Sequence, residues 1–490
     1  MATRAMAKAQ SATVAGTGTE PDPRRWKALA LLCAATFVII LDGTVVFVAV
    51  PSIAADLQLS PSAVQWVVSS YLLSFGGLLL LGGRSADLLG RRRMFILGSA
   101  LLAVSSLLCG LAPTVEFLIA ARVVHGISAA IMTPTALSIV STTFAEGPER
   151  NKALSWWSVA AGIGGTVGAL AGGPLTELGW GWIFFVNIPV ALAMVALAPV
   201  LLRESYDRGR PRTFDVAGAV TSTVAMVLLV YAVVNAPEAG WTSAETIGVL
   251  VVTAVLLALF VRIESRSPAP LVPLHHLRSR PLVGGNLVML AVGMTVHGAM
   301  GFILTQYAQI VLGYSAVEYG LMFAVMTALT MVGSILAGGP LIARFGTRPV
   351  AAAAMVMLAA SCLYMTRISA DGSFVGDILL GLLLFGPGLG AGFVTGSVAS
   401  LTGVAEQDAG LASGLNTASF HIGGALGIAI LTTVAVTQAA GPTPGAAMTT
   451  GFAAAYAAAI AFTAFGFVAG LVVLDRRRAS AEQVRPAAVH

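Results

Sequence analysis

Gly83-Arg84-Ser85-Ala86-Asp87-Leu88-Leu89-Gly90-Arg91-Arg92 stands between two long apolar runs. It returns in weaker form 256 residues later, as Gly339-Pro340-Leu341-Ile342-Ala343-Arg344-Phe345-Gly346-Thr347-Arg348. A charged motif repeated in the same orientation between apolar segments marks a chain built from two similar halves. Around these motifs the 490 residues are 57% apolar and only 10% charged, where a soluble domain carries about a quarter charged residues. That balance excludes a disordered chain, a nucleic-acid binder and an ordinary soluble enzyme.

A membrane-spanning helix takes about 20 apolar residues. Apolar runs bounded by charge, glycine or proline predict fourteen of them, near 27–50, 63–83, 93–112, 115–140, 153–175, 182–202, 214–235, 244–263, 282–305, 317–341, 349–367, 375–400, 410–437 and 452–474. The charges then set orientation. With both ends in the cytoplasm, every lysine and arginine except Arg122 and Arg367 falls in a tail or in an inward-facing connection. The positive-inside rule reads this as an even number of spans with both termini cytoplasmic. The expected order is a disordered tail over 1–25, a six-helix bundle over 26–203, two extra central helices with their linkers over 204–280, a second six-helix bundle over 281–475, and a tail over 476–490. This is an all-α, multi-pass inner (plasma) membrane protein. Parallel repeats of this kind occur in transporters whose substrate path runs between the halves.

Several chemistries have no residues to carry them. There is no G-x-x-x-x-G-K-[ST], H-E-x-x-H or G-x-S-x-G, and the lysines are only Lys8, Lys27 and Lys152. Cys33, Cys109 and Cys362 sit singly in apolar runs without disulfide or metal spacing. No catalytic constellation, metal site or cofactor is expected.

The residues that stand out are the few polar groups inside spans. Asp42 lies in the middle of the first, where an ionised carboxylate costs several kcal/mol unless paired or hydrated. Arg122, in the fourth, is its natural cation, and His125 at i+3 shares that helix face. His125, His297 and His421 are candidate second titrating or substrate-binding groups. Gln306, Gln309 and Asn416 are candidate cavity-lining polar residues. Gly168, Gly172, Gly173 and Pro174 make the fifth span a candidate moving interface, since small residues allow close helix approach and proline frees a backbone carbonyl. In the opening motif, Gly83, Asp87, Gly90, Arg91 and Arg92 form a candidate charge lock at a cytoplasmic loop, 83–93.

These residues together resemble the fourteen-helix drug:proton antiporter branch of the major facilitator superfamily. The first-span signature D-x-T-V-V-x-V-A-x-P reads Asp42-Gly43-Thr44-Val45-Val46-Phe47-Val48-Ala49-Val50-Pro51. The loop signature G-x-x-x-D-x-x-G-R-[KR] reads Gly83, Asp87, Gly90, Arg91 and Arg92, and R-x-x-x-G reads Arg122 and Gly126. Ala409-Gly410-Leu411-Ala412-Ser413-Gly414-Leu415-Asn416 opens the thirteenth span in the same style. The resemblance implies two six-helix bundles plus two central helices, and export of hydrophobic or amphipathic drugs or natural products in exchange for protons. It implies coupling through Asp42 and Arg122 and a cytoplasmic gate at Asp87 and its arginines, with the proton gradient as the energy source. The expected partners are protons, a small amphipathic substrate and the lipid bilayer, with no nucleic acid, in a protein that works as a monomer.

The chain departs from the family pattern at six places, one of them Gly181, which replaces the Arg of W-R-W between Trp180 and Trp182. Phe47 replaces an Asn, Ala169 the proline of the fifth-span signature, His125 and His421 each a Gln, and Ala343 the Asp of the second loop. A facilitator or proton symporter for a metabolite is the alternative that Ala169 suggests. A non-transporting receptor or scaffold is the alternative from another class.

Overall fold

The computed structural model describes residues 23–144, 147–205, 215–267, 270, 278–404 and 408–474. Apart from residues 23–25, the expected tails 1–25 and 476–490 lie outside the described residues, as do the linker arginines Arg208, Arg210 and Arg212. Among the described residues, fourteen helices long and apolar enough to cross a membrane follow one another: α1 Arg25–Asp56, α2 Pro61–Leu89, α3 Arg91–Gly110, α4 Val115–Thr143, α5 Pro148–Leu178, α6 Trp182–Leu201, α7 Val216–Ala239, α8 Ala244–Arg266, α9 Arg280–Val311, α10 Ala316–Phe345, α11 Thr347–Met365, α12 Phe374–Leu401, α13 Ala409–Thr437 and α14 Pro444–Val473. In lipid every backbone polar group needs an internal partner, and a helix provides it without help from a neighbour.

The two faces of the bundle start their helices differently. On one, the hydroxyls of Ser60, Thr114, Ser243, Ser315, Ser373 and Thr443 accept the free amides at the starts of α2, α4, α8, α10, α12 and α14. On the other, the basic face, α3, α5 and α11 start at glycines, while the Asp215 carboxylate caps α7. Gly90 (φ 106°) alone separates α2 from α3, and Gly346 (φ 83°) alone separates α10 from α11. Both take a backbone conformation open to glycine and costly for other residues. The two motif copies therefore make the same one-residue turn, 256 positions apart.

Two expectations need correction. The stretch 83–93 is not a loop, because α2 continues to Leu89 and only Gly90 is non-helical. Arg84 and Asp87 ride on the last turns of a helix that carries its hydrogen bonds out to the polar boundary, where charge no longer disfavours it. The last helix begins at Pro444 rather than near 452. Thr443 caps it and proline occupies its first turn, a favoured position because the missing N–H has no partner there.

The halves repeat in packing as well as in sequence. α1 packs on α5 and α6, α2 on α4, and α3 on α4 and α6. In the second half α9 packs on α13 and α14, α10 on α12, and α11 on α12 and α14. The two halves meet where α2 crosses α13 and where α5 crosses α10, again a symmetric pair. α7 lies against both α2 and α13, and α8 packs on α7 with Val251, Val252 and Val255 exposed. Such an apolar outer surface suits acyl chains.

Candidate functional site

The deepest polar group in the first half is built from three helices. Gly126 lets α4 press on α2, since a Cβ there would sit 2.0 Å from Ser74 Oγ and 2.6 Å from the Tyr71 carbonyl. This closeness lets Arg122 Nε donate to the Val67 carbonyl at 3.2 Å while its guanidinium lies 4.3 Å over the Tyr71 ring. Arg122 Nη1 then donates to Asp42 Oδ2 at 3.1 Å. Relative exposures of 0% for Asp42 and 1% for Arg122 and His125 exclude an arginine snorkelling to the boundary. His125 Nε2 stands 3.6 Å from the same carboxylate oxygen, and Nδ1 is 3.9 Å from Cys109 Sγ. The structure thus brings Asp42, Arg122 and His125 together.

A fourth member was missed in the sequence. Asn187 of α6, also fully buried, donates from Nδ2 to Asp42 Oδ1 at 2.9 Å. The only signal for it was a lone amide in an apolar span, which more often joins neighbouring helices.

His297 and His421 meet between the halves, with ring centroids 6.2 Å apart. Phe75 of α2 lies 4.1 Å from His421, Phe420 lies 4.8 Å from His297, and Phe47 of α1 lies 6.0 Å from His297. Four helices contribute rings to this cluster. His297 Nδ1 is 3.1 Å from the Gly293 carbonyl, which only accepts, so Nδ1 carries a proton and Nε2 is the nitrogen left for another partner. His297 sits in a π-helical stretch, Met294–Ile303, a geometry common at functional sites.

The other candidates separate. Gln309 joins the halves by donating from Nε2 to the Val48 carbonyl at 2.9 Å. Gln306 Oε1 is buried and unpartnered. Asn416 lies within the second half, held by Ser397, Ser400 and the Gly396 carbonyl. Gly168 and Gly172 seat α5 on α1, against Leu41, Thr44 and Val48. Gly173 turns the other way, where an added Cβ would lie 2.4 Å from Val317 Cα of α10. Pro174 follows it within the helix.

On the basic face a Cβ added at Gly83 would lie 3.3 Å from Pro134 Cβ of α4, and Asp87 accepts from Arg91 at 2.9 Å, one turn on. Glu204 accepts the Arg92 amide and stands 3.7 Å from the Arg92 and Arg93 guanidiniums. The Arg91 amide donates to the Ser205 carbonyl. These contacts tie the α2–α3 turn to the segment that follows α6.

The family model of the Major Facilitator Superfamily matches residues 32–428 and 312–489. The chain belongs to the Major Facilitator Superfamily. Within it, the chain is 36% identical to the puromycin resistance protein pur8 of Streptomyces alboniger, over 96% of this chain and 95% of that protein. It is 39% identical to the cephamycin export protein CmcT of Amycolatopsis lactamdurans, over 83% and 84%. It is 34% identical to a tetracenomycin C resistance and export protein of Streptomyces glaucescens, over 83% and 75%. A bacterial homologue of the human lysosomal transporter Spinster shares the fold, with a TM-score of 0.64 at 18% identity over 93% of this chain and 99% of that one. The chain is therefore a multi-pass plasma-membrane transporter of the drug-exporter type within the Major Facilitator Superfamily.

Proposed function

We propose that this transporter exports neutral or weakly charged amphipathic compounds in exchange for protons, by alternating access of its two halves. The observation that carries this reading is the Asp42–Arg122 pair, wholly buried and joined at 3.1 Å. A buried ion pair is weak support for a fold and is costly to desolvate, whereas an intramembrane carboxylate is the expected seat of a proton relay. Protonation of Asp42 removes the negative charge that holds Arg122, so α1 and α4 are coupled differently in the two charge states. One proton crossing 100 mV supplies about 2.3 kcal/mol, enough for a gradient of about fifty-fold.

Substrate faces the ring cluster of Phe47, Phe75, His297, Phe420 and His421. No acidic residue is among those rings, and the acidic residues of the second half sit near its helix ends, as Glu318, Asp377 and Asp408 do. That arrangement favours neutral or weakly charged compounds over dications. The three relatives named above are antibiotic resistance or export proteins, which supports export of compounds of that kind. Residues 26–203 and 281–475 are the rocking units, 204–280 the insert, and the α2–α3 turn part of a cytoplasmic gate, with both termini in the cytoplasm. Ala169 does not argue for a symporter. It is fully buried, with its carbonyl against Gly320 of α10, so α5 keeps its close approach without the proline.

The test is dye efflux from cells expressing the chain, using fluorescent amphipaths that are neutral, zwitterionic or dicationic. Neutral and zwitterionic dyes are expected to leave, and a protonophore is expected to raise their retention to that of cells lacking the protein. Efflux that a protonophore leaves unchanged contradicts the reading.

A further inference from the structure

We infer that Asn187 is a positioning residue that serves both charge states of Asp42 by turning its amide. The inference rests on the proton-coupling reading above and goes beyond it. In the charged state the two carboxylate oxygens are divided between partners. Oδ2 faces the Arg122 guanidinium at 3.1 Å and His125 Nε2 at 3.6 Å, and Oδ1 takes the Asn187 NH2 at 2.9 Å. The other end of that amide, Asn187 Oδ1, is buried and has no hydrogen-bond partner. Half of the amide is used and half is idle.

The idle half acquires a purpose once Asp42 is protonated. A carboxylate only accepts, whereas a carboxylic acid has one O–H to donate. An arginine does not give up its protons in proteins, so Oδ2 keeps facing a donor and the added proton belongs on Oδ1. There the new O–H meets the Asn187 NH2, donor against donor. A half-turn of the amide about its last bond replaces NH2 by C=O, and the acid O–H donates to Asn187 Oδ1. No protein partner has to be released, because that oxygen holds none. The turn exchanges which end of the amide is unpaired, so Asp42 keeps one hydrogen bond to α6 in either state. Leucine offers no bond in either state, and an ionised aspartate offers none to a carboxylate. The remaining groups around the pair are Tyr71 of α2, beneath Arg122, Phe184 of α6, 5.8 Å from it, and Cys109 of α3, whose Sγ lies 3.9 Å from His125 Nδ1. None of the three bonds Asp42 Oδ1, so α6 alone supplies that contact among the described residues.

Infrared difference spectra of the purified full chain between low and high pH test this without a known substrate. The carbonyl band of protonated Asp42 is identified by its loss in Asp42→Asn. In Asn187→Leu that band is expected at higher wavenumber, toward a carboxyl free of hydrogen bonds. Asn187→Gln, which keeps an amide, is expected to bring it back toward the wild-type position. Asn187→Ala, which removes the amide and adds no bulk, gives the same reading as leucine where leucine is not tolerated. A band unmoved in Asn187→Leu and Asn187→Ala overturns the inference and leaves proton coupling standing. If no carboxyl band depends on Asp42, proton coupling at Asp42 fails, and this inference fails with it.

Discussion

Arg122→Leu is expected to abolish gradient-driven efflux and to destabilise the folded chain by on the order of 3 kcal/mol. The substitution keeps the apolar bulk of α4 but strands Asp42. Its carboxylate keeps Asn187 at 2.9 Å and His125 at 3.6 Å but has no permanent cation. The Val67 carbonyl also loses a donor that lies 55 residues away in sequence. Removing one partner of a buried pair costs far more than replacing both, because a lone buried charge has no water to turn to. Asp42→Asn with Arg122→Leu is therefore expected to recover most of the lost stability while efflux stays at background. Thermal unfolding in detergent separates the two effects. A single Arg122→Leu variant that melts with the wild type would show that the pair is not a coupled unit.

Valine at Gly320 or Gly173 is the second large effect. A Cβ on Gly320 would lie 2.4 Å from the Ala169 carbonyl oxygen, and one on Gly173 the same distance from Val317 Cα. Both obstacles are backbone of the facing half, so no side-chain rotation relieves them. Both lie toward the hydroxyl-capped face, where Gln309 also bridges to Val48. Either substitution is expected to wedge the halves apart at that face and to lower efflux by at least about tenfold, equivalent to ~1.4 kcal/mol in a conformational equilibrium. Spin labels at Leu178 and Leu321, both well exposed, are expected to report a longer distance. Gly339→Ala on the same helix α10 has nothing within 4 Å of its Cβ and is the control expected to behave as wild type. Wild-type distances and efflux in Gly320→Val would remove the moving-interface role from α5.

What the sequence discloses here follows from how costly each residue is in lipid. Asp42 and Arg122 are visible because a charge inside an apolar run has few explanations, and the fourteen spans because hydropathy and basic residues agree. Asn187 is hidden because its partner lies 145 residues away, and an amide in a span is affordable in many settings. The meeting of His297 with His421 depends on how α9 and α13 rotate against each other, which no single-helix pattern records. The π-helical stretch around His297 has no propensity signal. The helical course of 83–89 was obscured because charges mark where a helix leaves the membrane, not where it ends. Asn416 reads as a cavity residue from its span, yet its neighbours Ser397 and Ser400 on α12 enclose it within one half.

The central claim is that Asp42 exchanges a proton as substrate moves. The most direct measurement is pH inside proteoliposomes containing the full chain, followed by an entrapped pH dye when an exported compound from the efflux panel is added. Substrate-dependent proton movement opposite to substrate is expected, absent in Asp42→Asn, with substrate exchange at zero gradient still present in that variant. Proton movement of wild-type size in Asp42→Asn, or movement in the same direction as substrate, would contradict it.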